Sequence, residues 1–194
     1  MFEEDRPRID PLRDFGNAVD ARMNAASKAL RTSAHATSEW VVGRLMTPGE
    51  LRMVQAMLGP HAAYAQAVIY PRNLWWPYRF RRAMTPAGNM FFPPHQYQTD
   101  YSLPHVSVGL RALFLHESTH LYQWYVLQQW VWAKGMVDRN YSYKLENGKK
   151  LKDYPVEQMA QIVEDFYRIS HGWPPVFPVP YKAQDYRDVL PVRS

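Results

Sequence analysis

The stretch Leu113-Phe114-Leu115-His116-Glu117-Ser118-Thr119-His120-Leu121-Tyr122-Gln123 decides how the rest of the chain is read. It reads as part of an apolar helix. At 3.6 residues per turn, His116 and His120 fall one turn apart on one face, where two imidazole nitrogens can meet a single tetrahedral ion about 2.0–2.1 Å from each. Glu117 lies about 100° further round the helix. It is therefore off the metal axis, yet close enough to take a proton from a water that the metal activates, the work of a general base. Leu113, Phe114, Leu115, Leu121 and Trp124 make the helix largely buried. Two histidines and a carboxylate left there without partners would be costly. The competing reading is a pair of core histidines satisfied by hydrogen bonds.

Composition sets the frame around this helix. The chain has 194 residues, 46% of them hydrophobic and 14% aromatic, enough for one domain with a real core and an appendage. No stretch approaches 18 uninterrupted apolar residues, so no membrane span is expected. The start, Met1-Phe2-Glu3-Glu4-Asp5-Arg6-Pro7, lacks the regions of a signal peptide, which implies a cytoplasmic protein in its producer or export by another route. With no cysteine, metal donors must be histidine or carboxylate. The net charge of +5 comes from dispersed Arg and Lys, with Arg79, Arg81 and Arg82 the tight cluster. That pattern suits a solvated face rather than a nucleic-acid surface.

Taken in order, residues 1–10 form a loose arm, and from Pro11 to about Leu45 an alanine-rich helix is expected. Its stripe of Leu12, Phe15, Val19, Met23, Ala26 and Leu30 needs a partner, either its own domain, another protein, or the site as a lid. Thr47-Pro48-Gly49-Glu50 starts a helix with a capping box, and Gly59 ends it after Leu58. Val68-Ile69-Tyr70 is a strand, and the paired Trp75 and Trp76 wedge a loop to the core or bind a ligand. Ala83-Met84-Thr85 and Asn89-Met90-Phe91-Phe92 form a hairpin around Pro86-Ala87-Gly88. The central helix runs from about Val106 to Lys134, closed by Gly135. A second hairpin turns at Asn147-Gly148, between Tyr141–Leu145 and Lys149–Leu151. A last helix covers Pro155 to about Ser170. The proline-rich remainder, 173–194, is expected to lie extended along the surface.

A catalytic zinc needs three protein ligands and an open position. Glu157, in the first turn of the last helix, is the best third donor, because Ala160 one turn on allows close approach to the metal helix. Its rival reading is a first-turn carboxylate favoured by the helix dipole, and Glu164 and Asp165 could compete. Gln161 or Asp165 could accept the second ring proton of a ligating histidine. Tyr141, Tyr143, Tyr154 and His171 are the candidates for steadying an oxyanion. His35, His61, His95 and His105 lack metal spacing with anything nearby.

From about Arg44 to Ile169 the sequence resembles the Vgr-related proteins of bacterial type VI secretion and the zincin metallopeptidase domains fused to their spikes. The resemblance rests on Thr47-Pro48-Gly49-Glu50, Trp75-Trp76-Pro77, Pro86-Ala87-Gly88-Asn89, His116 to His120 with Gln123, and Glu157-Gln158 followed by Ala160. Met159 departs from it, standing where a polar residue is expected, and the helix at 11–45 lies outside it. The implied fold is α+β: a mostly helical zincin-like domain at 46–172 with a central HExxH helix, small hairpins or a small antiparallel sheet, and an N-terminal arm and helix at 1–45. By similarity His116, His120 and Glu157 would bind Zn2+ and Glu117 would be the base. In such enzymes an edge strand beside the metal aligns an extended peptide, and Asn89, Met90, Phe91 and Phe92 are the candidates. The implied activity is that of a zinc metallopeptidase, a toxin carried to a target cell by type VI secretion. Its partners would be a peptide or protein substrate, the secretion spike and a cognate immunity protein. The alternatives are a non-catalytic binding or adaptor protein on a zincin scaffold and a zinc amidase acting on cell-wall peptides.

Overall fold

The computed structural model describes residues 42–74, 82–129, 131 and 140–191. The stripe at 12–30, the paired tryptophans, Arg79, Arg81 and the expected helix end at Lys134 to Gly135 lie outside these. The described part is mixed α+β, with four helices and one three-stranded sheet among the described residues. Strand β1 is Arg44–Leu45, α1 is Pro48–Leu58, β2 is Val68–Tyr70 and β3 is Met90–Phe91. Helices α2 (Val108–Tyr125), α3 (Val156–Ser170) and α4 (Ala183–Tyr186) follow.

Helix α1 starts where its sequence says. Thr47 Oγ1 accepts from the Glu50 backbone N–H at 3.1 Å, Glu50 Oε2 accepts from Thr47 N–H at 2.8 Å, and Pro48 occupies the first turn. Gly59 closes it with φ 83. Gly49 has a packing reason, since a Cβ there would run into the Ser102 side chain.

The sheet is mixed rather than antiparallel. β1 pairs β2 antiparallel, whereas β2 pairs β3 parallel in the register Ile69↔Met90 and Tyr70↔Phe91. A parallel pair cannot be joined by a tight turn, so the chain between β2 and β3 must cross over. The expected hairpin at 83–92 is reduced to one antiparallel bridge, Met84↔Phe91, around the short helical turn at Pro86–Gly88.

The second hairpin does not form. The turn at Asn147-Gly148 is present, with Lys149 N–H donating to the Glu146 carbonyl at 3.2 Å and Gly148 at φ 82. The flanking donors go elsewhere: Leu145 N–H to the Tyr181 hydroxyl, Glu146 N–H to the Tyr154 hydroxyl, and Leu151 N–H to the Val189 carbonyl. Cross-strand pairing is thus replaced by bonds to the C-terminal part of the chain. That part is not simply an extended tail, because α4 brings Tyr186, and then Val189 and Leu190, into the core.

Helix α2 is shorter than expected. The Tyr122 carbonyl accepts from both Val126 and Leu127 N–H, Gln129 N–H reaches back to the Gln123 carbonyl, and Gln128 sits at φ 52. The helix ends in a left-handed turn without glycine. From Phe114 to Gln123 α2 is buried on every side. Its most extensive contact is with α3, and Phe114 stacks on Tyr101 with ring centroids 4.7 Å apart. This α2·α3 pair carries the candidate site.

Candidate metal centre

Two of the three residues between the histidines, Ser118 and Thr119, fill a buried turn without leaving polar atoms over. Ser118 and Thr119 return their hydroxyls to the carbonyls one turn back, Phe114 at 2.7 Å and Leu115 at 2.9 Å. His116 and His120 are then free to project together towards α3, where Glu157 stands in the first turn. One donor atom from each of His116, His120 and Glu157 lies within 4.8 Å of the others, so the three could hold a metal ion.

The geometry is tighter than that bound. Glu157 Oε2 is 3.6 Å from His116 Nε2 and 3.7 Å from His120 Nε2. Two ligands 2.0–2.1 Å from a tetrahedral zinc are about 3.4 Å apart, so the observed edges fit such an ion with a small contraction. They are too long for good hydrogen bonds.

The far ring nitrogens are held. His116 Nδ1 is 3.0 Å from Glu164 Oε2, and His120 Nδ1 is 2.8 Å from Gln123 Oε1. A carboxylate and an amide oxygen only accept, so each Nδ1 carries the proton and donates, which aims each Nε2 at the gap. Gln123 is itself fixed, its Nε2 donating to the Val156 carbonyl at 2.7 Å across to α3. The expected acceptors, Gln161 and Asp165, do neither job. Gln161 donates to Asp165 at 3.0 Å, and Asp165 also accepts from the Tyr143 hydroxyl and from Val176 N–H. Asp165 therefore ties residues 143 and 176 to α3.

Charge follows the same layout. Burial disfavours the His116 imidazolium, but the Glu157, Glu164 and Glu117 carboxylates outweigh it and raise the pKa to about 10. Burial works against the Glu157 carboxylate, yet His116, His120 and Arg82 hold its pKa below the usual value. Burial lifts Asp165 despite its three donors. The carboxylates thus favour positive charge here, which a proton on His116 supplies in the metal-free chain and which a bound metal ion would have to displace.

Beside it opens a cavity of about 330 Å³. Glu117 faces this cavity, and one of its oxygens, Oε2, accepts from the Thr85 hydroxyl at 2.6 Å. The short bond is of the charge-assisted kind and fixes the carboxylate. Of the four candidate oxyanion groups, Tyr141 alone lines the cavity among the described residues, with its ring centroid 6.2 Å from that of His116. Its hydroxyl accepts from Arg82 at 3.2 Å. Burial and the Glu157 charge raise the Tyr141 pKa, and Arg82 partly offsets them, so the hydroxyl keeps its proton at neutral pH. Tyr143 instead bonds Asp165 and Tyr186, Tyr154 accepts from Glu146 N–H, and His171 is exposed with its Nδ1 on the Tyr167 carbonyl.

The expected substrate edge is not open. Asn89, Met90, Phe91 and Phe92 are all buried; Phe91 exchanges both backbone bonds with Met84, Phe92 N–H donates to the Tyr70 carbonyl, and Asn89 Oδ1 caps Val68 N–H. The bridge to Met84 covers the outer side of β3, so residues 82–86 lie beside the cavity in its place. Thr85 carried no motif that could have singled it out. Gln123 did carry a signal, being one turn from His120 on the same face, whereas Glu164 meets His116 only through the packing of α3 on α2.

No protein-family model matches this chain. A type VI secretion system spike protein, VgrG2b of Pseudomonas aeruginosa, is 29% identical over 134 residues, which is 64% of this chain and 13% of that protein. The chain therefore corresponds to a small part of its relative's length. The solved effector domain of Pseudomonas aeruginosa VgrG2b superposes with a TM-score of 0.53 at 26% identity, over 80% of this chain and 90% of that one. In sequence and in fold alike, the chain is similar to the effector domain of a Vgr-type spike protein.

Proposed function

We propose that the protein is a zinc-dependent metallopeptidase that acts as a type VI secretion effector. One observation carries the enzymatic part: the Nε2 atoms of His116 and His120 and the Oε2 of Glu157 converge beside a cavity into which the Thr85-held carboxylate of Glu117 also faces. Similarity to the effector domain of a spike protein supports the part about delivery.

A bound zinc would supply Lewis acidity toward the scissile carbonyl and an acidified water. The chain's own residues do the rest. Glu164 and Gln123 fix the tautomers that present both Nε2 atoms. Glu117 takes a proton from water with the oxygen that Thr85 leaves free and returns it to the departing amine. Tyr141, kept protonated and steadied by Arg82, offers a hydroxyl to the oxyanion. Its partners on this reading are a peptide or protein substrate, a secretion spike and a cognate immunity protein. The protein is made in the producer's cytoplasm and works in the target cell.

The test compares zinc-loaded wild type with Glu117→Gln on an unfolded protein, with new termini counted by mass spectrometry. The wild type should cut, and the variant should keep its zinc while losing on the order of 10²–10⁴ in rate. Equal cleavage by both would remove Glu117 as the base, and no cleavage by the zinc-loaded wild type would favour a non-catalytic binding protein on the same scaffold.

A further inference from the structure

We propose that Val176 and Phe177 form the specificity wall of the cleft, and that the substrate is a peptide held by a large apolar side chain next to the bond that is cut. This rests on the peptidase reading above and adds the substrate class.

Both residues line the cavity, yet Val176 is 42% and Phe177 44% exposed. Other exposed large hydrophobics, Leu45, Leu103 and Val126, do not line it. The backbone that carries the wall is pinned. Val176 N–H donates to Asp165 Oδ1 at 2.8 Å, Arg168 Nε donates to the Pro174 carbonyl at 2.7 Å, and Pro174, Pro175 and Pro178 restrict the chain between and beyond. Apolar side chains held in water on a fixed backbone gain free energy only when something covers them. The Phe177 ring lies 6.4 Å from the Tyr141 ring, which lies 6.2 Å from His116, so the wall continues to the candidate ligands. Leu113, Met84 and Val131 line the same cavity. The charged groups that line the cavity already have partners within the chain: Glu117 accepts from Thr85, Glu164 from His116, Glu157 faces the two histidines, and Arg82 donates to Tyr141.

The probes are short peptidyl hydroxamates, which grip a metal whether or not the protein cuts peptides. They differ in one side chain, Phe, Leu, Ala, Asp or Lys, and are titrated by calorimetry into zinc-loaded wild type, Phe177→Ala and Val176→Ser. The expected result is Phe and Leu probes binding wild type at least about tenfold more tightly than the Ala probe. Phe177→Ala should remove most of that preference while leaving the Ala probe and the zinc content unchanged. Zinc-loaded wild type that ranks the probes equally, or keeps its preference in both variants, overturns the wall while leaving the metal centre standing. Wild type that takes up no zinc overturns the peptidase reading itself, and the wall with it.

Discussion

Two clusters of buried charge among the described residues are finished differently. At the start of α1, Glu50 is wholly buried, and both its oxygens are used: Arg44 binds it through two contacts of 2.7 Å, and the backbone N–H groups of Thr47 and Tyr101 each donate at 2.8 Å. Between α2 and α3, the histidines are as firmly held from behind by Glu164 and Gln123, but their Nε2 atoms and Glu157 Oε2 face one another at 3.6 and 3.7 Å. The first cluster is saturated and joins β1, α1 and the loop at 97–101. The second is saturated on one side only, with its open side on a cavity. A buried polar group normally finds its partners. Here several are preorganised around a shared gap that could hold a metal ion.

This contrast can be broken at either end. Glu50→Ala should cost about 3–5 kcal/mol of folding stability, because Arg44 keeps its charge in a partly buried place with no carboxylate to meet it. Urea denaturation reads the loss. If the variant still folds, it should bind zinc as wild type does, whereas a joint loss of stability and zinc affinity in the folded state would show that the clusters are not separate.

A smaller effect is expected behind the histidines. Glu164→Gln should lower zinc affinity by about 10–100-fold, through loss of the charge that orients His116. Competition with a chromophoric chelator measures it, and unchanged affinity would remove Glu164 from the account. Smaller again is Gln128→Gly. It relieves a left-handed backbone at φ 52 and should stabilise the protein by up to about 1 kcal/mol, seen as a raised thermal midpoint.

The same contrast explains what could be read from sequence. The start of α1 was legible because Thr47, Pro48, Glu50 and Gly59 act within a few residues of themselves. The end of α2 was not, because its last turn is held by Tyr122 and Gln123 carbonyls without any glycine or proline there to mark it. The turn at Asn147-Gly148 was legible and its strands were not, since the hydroxyls of Tyr154 and Tyr181 took the donors that a ladder would have used. In the site, His116, Glu117 and His120 were readable from helical spacing. Gln161, Glu164 and Asp165 share one helix with Glu157, and which of them meets His116 depends on how α3 crosses α2, a fact no local pattern contains. Thr85 comes from a distant loop that only the folded chain brings to Glu117.

The proposed function stands or falls with zinc in the gap between His116, His120 and Glu157. Elemental analysis of protein purified without a metal-affinity tag tests it most directly, with His120→Ala and Glu157→Ala alongside. The expected result is about one zinc per chain in wild type, lost or much weakened in both variants. Wild type that holds no metal, with stability and spectra unmoved by added zinc, would contradict it.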